Sequence, residues 1–346
     1  MIISTVGFGA TGSGAVYGLL REFEGIQAKS EVEFKIAYQV DGLEDLYFHL
    51  RKAHAKNASA DAAILRFKNV VKYYSKVPFI KRFVSQKDFD EISRWYLSQI
   101  TKSSFSGMES FDTESGSKLR MMTELAFKKK IIPVFQKITG KNYDLWPIRE
   151  INIPNVDIDF IDVTKAYIEK LLKSAGFDLS GKVLLNQAFE ANSPNNSMIF
   201  YPNARAIVVD RDPRDIYIQH QLMLSAEGRW LPKGNVEAFV DQFVAIRNSQ
   251  PLSTNDTLFV QFEDLIYDYE GQLKKIIKFC SLENNSHISK FKHFNPRMSI
   301  NNTNLKENYP EFERDVEYIE KHLSDYIYDF DATNASFEKN GQPFNA

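Results

Sequence analysis

Two short stretches of this chain carry residue types suited to holding a polyanion. The first is Gly7-Phe8-Gly9-Ala10-Thr11-Gly12-Ser13-Gly14, close to the amino terminus. Glycines let a backbone approach a phosphate closely, and the N–H groups of Thr11 to Ala15 would open a helix whose positive end aims at the anion. The candidate phosphate-binding residues are therefore Gly9, Ala10, Thr11, Gly12, Ser13, Gly14 and Ala15. The spacing fits the G-x-G-x-x-G of dinucleotide sites and also the first half of a P-loop. A tight structural turn with no ligand is the third reading. Ser13 and Gly14 stand where a P-loop places Lys and then Ser or Thr. The lysine for the terminal phosphates and the hydroxyl for Mg²⁺ are both missing, which disfavours ATP or GTP hydrolysis. A dinucleotide fold places an acid at the end of its second strand, about 20 residues on. Asp41 lies well beyond that distance.

The second stretch is YPNARAIVVDRDPRDIYIQ, Tyr201 to Gln219. A buried strand here runs into Arg211-Asp212-Pro213-Arg214-Asp215 and then a helix. An arginine at the carboxyl end of a strand faces the ligand edge of a parallel sheet, where its planar fork can grip a phosphate. Pro213 suits the first helical turn, and Asp215 complements the helix dipole. Arg214 reads best as an ion-pair partner of the neighbouring aspartates, and Arg211 as the phosphate ligand.

These stretches need a sheet to position them. Ile2 to Val6 reads as a short buried strand, followed by the glycine turn and by Ala15, Val16, Leu19, Leu20 and Phe23 at helical spacing. Glu31 to Val40 reads as a second strand ended by Asp41-Gly42, and Leu43 to Lys52 as a helix. From about Asn57 to Lys141 the pattern is helical, rich in Lys, Phe and Tyr, and without a convincing strand. Val163 to Ala175 is a further helix with Asp162 placed to cap it. Lys182 to Gln187, Ala204 to Asp210 and Thr257 to Phe262 then read as strands, alternating with helices over 212–224, 236–246 and 269–279. Such alternation implies an α/β fold of three layers, α/β/α, around a central parallel sheet, with a large helical insertion at about 57–141. One domain is expected over 1–330, with the insertion as an acceptor-binding lid. The polar, Asn-rich residues 331–346 are expected to form a loosely tied tail.

Bulk properties set limits. The 346 residues are 43% apolar and 25% charged, the balance of a soluble globular protein. The single cysteine, Cys280, rules out an internal disulfide and any thiolate cluster. It ends an apolar helical run and reads as a buried thiol. His49 and His54 are five apart and His287 and His293 six apart, so neither pair has metal-ligand spacing on a helix, and no metal is implied. A net charge of −2 argues against a nucleic-acid partner and makes any anion site local. Lys128-Lys129-Lys130 reads first as a solvated face, with an acidic glycan or lipid headgroup as the other reading. No secretory leader and no run of roughly 18 apolar residues is present, which points to a cytoplasmic protein without a transmembrane helix.

The Arg211 stretch resembles the 3′-phosphate-binding motif of sulfotransferases that use 3′-phosphoadenosine 5′-phosphosulfate. That motif is a strand, Arg-Asp-Pro-Arg-Asp, and a helix carrying a serine eight residues past the first arginine. Arg211 matches the arginine, and Gln219, itself a hydrogen-bond donor, stands at the serine position. Gly9 to Ser13 resembles the family's 5′-phosphosulfate loop, except that Ala10 stands where the family usually has Lys or Arg. Arg51, Lys52 and Arg66 are candidates to replace that cation. Phe262-Glu263-Asp264-Leu265 resembles the structural Tyr-Glu-Asp-Leu segment, and Ser299, Asn301 and Asn304-Leu305-Lys306 resemble the late segment that closes over the nucleotide.

The resemblance implies a P-loop-like sulfotransferase fold and in-line transfer of a sulfuryl group, with no metal, to a hydroxyl or amine of a glycan or similar acceptor. The phosphate-binding set then includes Gln219 and Lys306. One branch of the family keeps an acidic base at about the distance of Asp41, so Asp41 is the first candidate base. Glu44, one turn on, is the second, and His220 the third. A helix N-cap, a solvated face and a packed histidine are the respective structural readings. A nicotinamide-dependent oxidoreductase and a non-catalytic nucleotide-binding protein remain as alternatives. The aromatic residues over 67–105 read first as helix packing and second as a sugar-stacking platform.

Overall fold

The structure is a computed structural model, and it describes residues 1–29, 32–52, 57–109, 122–123, 126–141, 149–222, 231–248, 253–333, 339 and 343. The strands are β1 Ile2–Gly7, β2 Ile26–Gln27, β3 Thr101–Gly107, β4 Arg149–Pro154, β5 Lys182–Asn186, β6 Ala204–Asp210 and β7 Thr257–Gln261. The principal helices are α1 Ser13–Leu20, α2 Leu43–Tyr47, α3 Asn57–Tyr74, α4 Gln86–Ile100, α5 Ile132–Thr139, α6 Phe160–Ser174, α7 Pro213–Leu222, α8 Val236–Arg247, α9 Tyr269–Phe279 and α10 Glu313–His322. The chain divides into two compact units, one of Met1–Tyr38, Phe79–Ser85 and Ile168–Ala346, the other of Gln39–Pro78 and Gln86–Tyr167.

The first unit is built on a five-stranded sheet of order β2-β5-β1-β6-β7. Every pairing in it is parallel, with Ile3 opposite Leu184 on one side and Arg205 on the other. From β1 the chain moves to β2 and later β5 on one side, then crosses to β6 and β7 on the other. The carboxyl ends of β1 and β6 therefore flank the topological switch point, where open α/β sheets bind ligands. Ile3, Leu184, Ile207, Val209 and Val260 pack with α1 and α9 in a single buried cluster. Ile2, Ser4, Val6, Ala206 and Val208 alternate with them and are also buried, as expected of parallel strands covered on both faces. Cys280 lies in the α9 side of this core, and burial pushes its thiol up to about 12.

Within the second unit, α3 is tied to β4 through the fully buried Asp61. Its Oδ1 accepts the Asn152 N–H at 2.7 Å and the Asn152 side-chain amide at 2.9 Å, while Oδ2 pairs with Arg149 at 2.6 Å. Burial opposes this charge, but Arg149 and the Asn152 donors outweigh it and hold the carboxyl below its ordinary value. Tyr96 and Tyr167 stack at 4.4 Å, with their hydroxyls bonded to Thr164 and Ser93. With Phe67 they are fully buried, so these aromatics are helix packing. No described helix is long and apolar enough to cross a membrane.

Three sequence expectations need correction. The residues of 31–40 that are described do not form a strand. Glu33 makes one parallel bridge to Asn186, Phe34 N–H donates to Asn186 O, and residues 35–38 turn. The edge strand of the sheet is β2 instead. The stretch 57–141 contains a strand, β3, which pairs antiparallel with β4. Most of β3 is exposed and β4 lies far along the chain, so no local pattern announces it. At α6 the helix begins at Phe160, and Asp159 Oδ1 rather than Asp162 accepts the capping N–H at 3.0 Å. The tail expectation falls mostly outside the described residues.

Candidate functional site

The turn after β1 is held open by left-handed backbone. Gly9, Ala10 and Gly12 have φ of 89°, 53° and 88°. Alanine tolerates that region at some cost. Gly12 has a second reason to be glycine, since a Cβ there would run into the ring of Phe262. Gln187, just past β5 and itself at φ 49°, clamps the turn. Its Oε1 accepts the Gly7 N–H at 3.2 Å, and its Nε2 donates to Ser13 Oγ at 3.0 Å. The α1 helix follows at Ser13, and Ala15 N–H donates back to Gly12 O at 2.9 Å, so Ala15 closes the helix start rather than presenting its donor outward. Thr11 Oγ1 is buried with no hydrogen-bond partner among the described residues.

Arg211 follows β6 on the neighbouring strand and is almost fully buried. Its Nη1 donates to Ala10 O at 3.1 Å and to Gln219 Oε1, its Nη2 donates to Asn302 O, and its guanidinium lies 5.2 Å from the Phe262 ring centroid. One side chain thus joins the glycine turn, the helix position eight residues on, the 262–265 segment and the late segment. Its Nε is buried without a partner among the described residues. The strand end is fixed by Asp210, which accepts the Arg211 N–H at 2.8 Å and forks with the buried Arg247 at 2.7 and 2.8 Å. A cleft of about 450 Å³ opens beside Asp210 and Arg211, lined also by Phe259, Gln261 and residues 325–328.

Arg214 has the structural role expected of it. It pairs with Asp212 at 2.7 Å and Glu320 at 2.6 Å and donates to Tyr328 O at 2.8 Å. Burial disfavours its charge, but Asp212 and Glu320 more than offset this and raise its pKa. Asp215 does not stay on its own helix as a dipole partner. It accepts the N–H groups of Asn304 at 2.9 Å and Leu305 at 2.8 Å, which pins the late segment to α7. Glu263 accepts the Asp212 N–H at 3.0 Å. Burial, and then Asp212 and Asp215, push the Glu263 carboxyl up to about 8.

The remaining candidates are dispersed. Asp41 ends no strand. It sits in a turn at φ 63°, its Oδ1 accepts from Arg66 Nε at 2.7 Å, and Arg66 Nη2 reaches Asp45 at 2.7 Å. Gly42, not Asp41, precedes α2 as its cap. Glu44 is half-buried on the first turn of α2. Of the proposed replacement cations, Arg66 is engaged by these aspartates, Arg51 donates to Asn155 O and Ile158 O at 3.0 Å, and Lys52 lies over the Tyr47 ring. All of these belong to the second compact unit. His220 is buried on α7 with Nε2 2.8 Å from Leu231 O, the packed histidine of the structural reading. Lys306 pairs with Glu320 at 2.9 Å.

Two residues escaped the sequence reading. Gln187 reads from the sequence only as the end of a strand, yet it clamps the turn. Glu190, three residues on, is a half-buried carboxyl that burial holds above its ordinary pKa. An acid and an amide just past a buried strand, at the edge where ligands bind, were the available signal.

A model of the sulfotransferase family matches residues 3–286. Two solved structures are similar over most of the chain. One is the sulfotransferase domain of the olefin synthase from Synechococcus PCC 7002, at 12% identity, covering 83% of this chain and 74% of that one with a TM-score of 0.36. The other is sulfotransferase STF1 from Mycobacterium tuberculosis H37Rv, at 12% identity, covering 83% and 68% with a TM-score of 0.33. No curated protein matches.

Proposed function

Because the chain belongs to the sulfotransferase family, we propose that it takes its sulfuryl group from 3′-phosphoadenosine 5′-phosphosulfate and passes it to a hydroxyl or amine of a glycan or similar small acceptor. The observation that carries the donor assignment is Arg211, a buried guanidinium fixed by Gln219, Asn302 and Ala10 beside a turn of left-handed backbone. Its Nε and Thr11 Oγ1 are two buried donors without partners among the described residues. A donor carrying a 3′-phosphate and a 5′-phosphosulfate supplies anionic oxygens for both.

In this reading Arg211 and Gln219 grip the 3′-phosphate, and the backbone of Thr11 to Gly14 faces the 5′-phosphosulfate. The acceptor oxygen or nitrogen forms a bond to sulfur as the bond from sulfur to the bridging oxygen breaks. The acceptor's proton passes to a carboxylate, and the electron pair stays on the departing phosphate oxygen. Asp41 is the base the resemblance favours. Glu190 is a second candidate base, since it follows β5 in the same compact unit as the turn and burial raises its pKa, which favours proton uptake.

Calorimetric titration with adenosine 3′,5′-bisphosphate, beside 5′-AMP and NADH, tests the donor. Micromolar binding of the bisphosphate and much weaker binding of 5′-AMP is the expected result. Binding of NADH without the bisphosphate would overturn the reading.

A further inference from the structure

Residues 126–139 form one run of helix with a surface that sulfuryl transfer does not call for. A π-type turn over Phe127–Ile131 leads into α5 and accommodates Pro133, which removes a donor from the helix start. Gly140, in the left-handed region at φ 66°, ends it. Phe127, Ile131, Val134, Phe135 and Ile138 recur at intervals of three and four and so share one face. They are 39%, 40%, 54%, 50% and 76% exposed. Lys128, Lys129, Lys130, Lys137 and Lys141 flank that stripe, and no acidic residue falls between Ala126 and Lys141. In a chain of net charge −2 this is a strongly basic local patch around a wet apolar strip.

We propose that this segment docks the protein on the surface of an anionic lipid bilayer. The two halves of the pattern fit the two layers of that surface. Lysines meet headgroup phosphates at about 1 kcal/mol each, and the apolar stripe enters the boundary of the acyl chains. A second copy of the chain would set five lysines against five lysines, which disfavours self-association through the same face. Phe127 to Thr139 is too short to span a bilayer, so the contact is peripheral. The proposal is independent of the donor and of the acceptor.

The test uses full-length protein and sedimentation with vesicles of phosphatidylcholine alone or with phosphatidylglycerol added. The expected result is binding to the anionic vesicles only, relieved by salt. The triple variant Lys129→Gln, Lys130→Gln, Lys137→Gln should lose about a hundredfold in affinity. Phe135→Ser with Ile138→Ser should also weaken binding, while leaving the melting temperature unchanged because both side chains are exposed. Equal binding to neutral and anionic vesicles, or no binding, would overturn the proposal. So would a dimer dispersed by Phe135→Ser, or a fall of several degrees in melting temperature, since either would give the stripe a protein partner.

Discussion

The carboxylate of Asp215 accepts the backbone N–H of Leu305 at 2.8 Å and buries itself in doing so. Burial, then Asp212, raises its pKa from an ordinary 3.8 to about 6. Glu263, in the same cluster, rises from 4.5 to about 8 for the same reasons. Both folded-state values lie above the unfolded ones, so folding favours the protonated acids. That advantage is complete below the unfolded values and is lost as pH climbs through the folded ones. We expect the unfolding free energy to carry a falling component between about pH 4 and pH 8. Glu263→Gln keeps an acceptor for the Asp212 N–H and should flatten the upper half of that fall. Urea unfolding across pH measures it; an unchanged slope in the variant would remove Glu263 from the account.

Arg211→Ala should weaken adenosine 3′,5′-bisphosphate by about 2–3 kcal/mol, or roughly thirty- to a hundredfold, and leave 5′-AMP nearly unaffected. Arg211→Lys should recover only part of the loss, because lysine keeps the charge but not the fork that reaches Ala10, Gln219 and Asn302 together. Calorimetry with the two nucleotides separates a lost 3′-phosphate contact from a general collapse of the site.

Gln187→Ala removes the acceptor of Gly7 and the donor to Ser13. The turn should then wander, raising the bisphosphate dissociation constant about tenfold at about 1–1.5 kcal/mol. Gln187→Glu should be worse than Gln187→Ala, since it adds a negative charge beside the anion site. An affinity equal to that of the native protein in both variants would show that the clamp is idle.

Gly12→Ala meets two obstacles at once, a φ of 88° and the ring of Phe262. We expect a stability loss of about 1–3 kcal/mol, read as a lower midpoint in denaturant. Because Phe262 also lies under Arg211, nucleotide affinity should fall as well.

The base can be found by comparing Asp41→Asn with Glu190→Gln. Loss of a general base costs about 10²- to 10⁴-fold in kcat, and bisphosphate binding should survive in the variant that carries it. The acidic limb of the kcat–pH profile should vanish in the same variant. A kcat close to native in both would turn attention to Glu44.

The sequence by itself determined the frame of the site. Ala204–Asp210 and Tyr269–Phe279 fall where periodicity places them, because a buried parallel strand and an amphipathic helix each write their pattern locally. The glycine turn and Arg211 were legible for the same reason: left-handed backbone needs particular residues, and a strand end has a known edge. Only the tertiary structure decided what those residues meet. The Arg211 contacts with Ala10 and Asn302 span separations of 201 and 91 residues, and the Gln187 clamp on Gly7 spans 180. The strand pairing of Thr101–Gly107 with Arg149–Pro154, and the turns over residues 35–38 inside the span expected as a strand, are of the same kind. Hydrogen bonds closed across such loops depend on which segments the sheet order brings side by side, and no local window of sequence contains both partners.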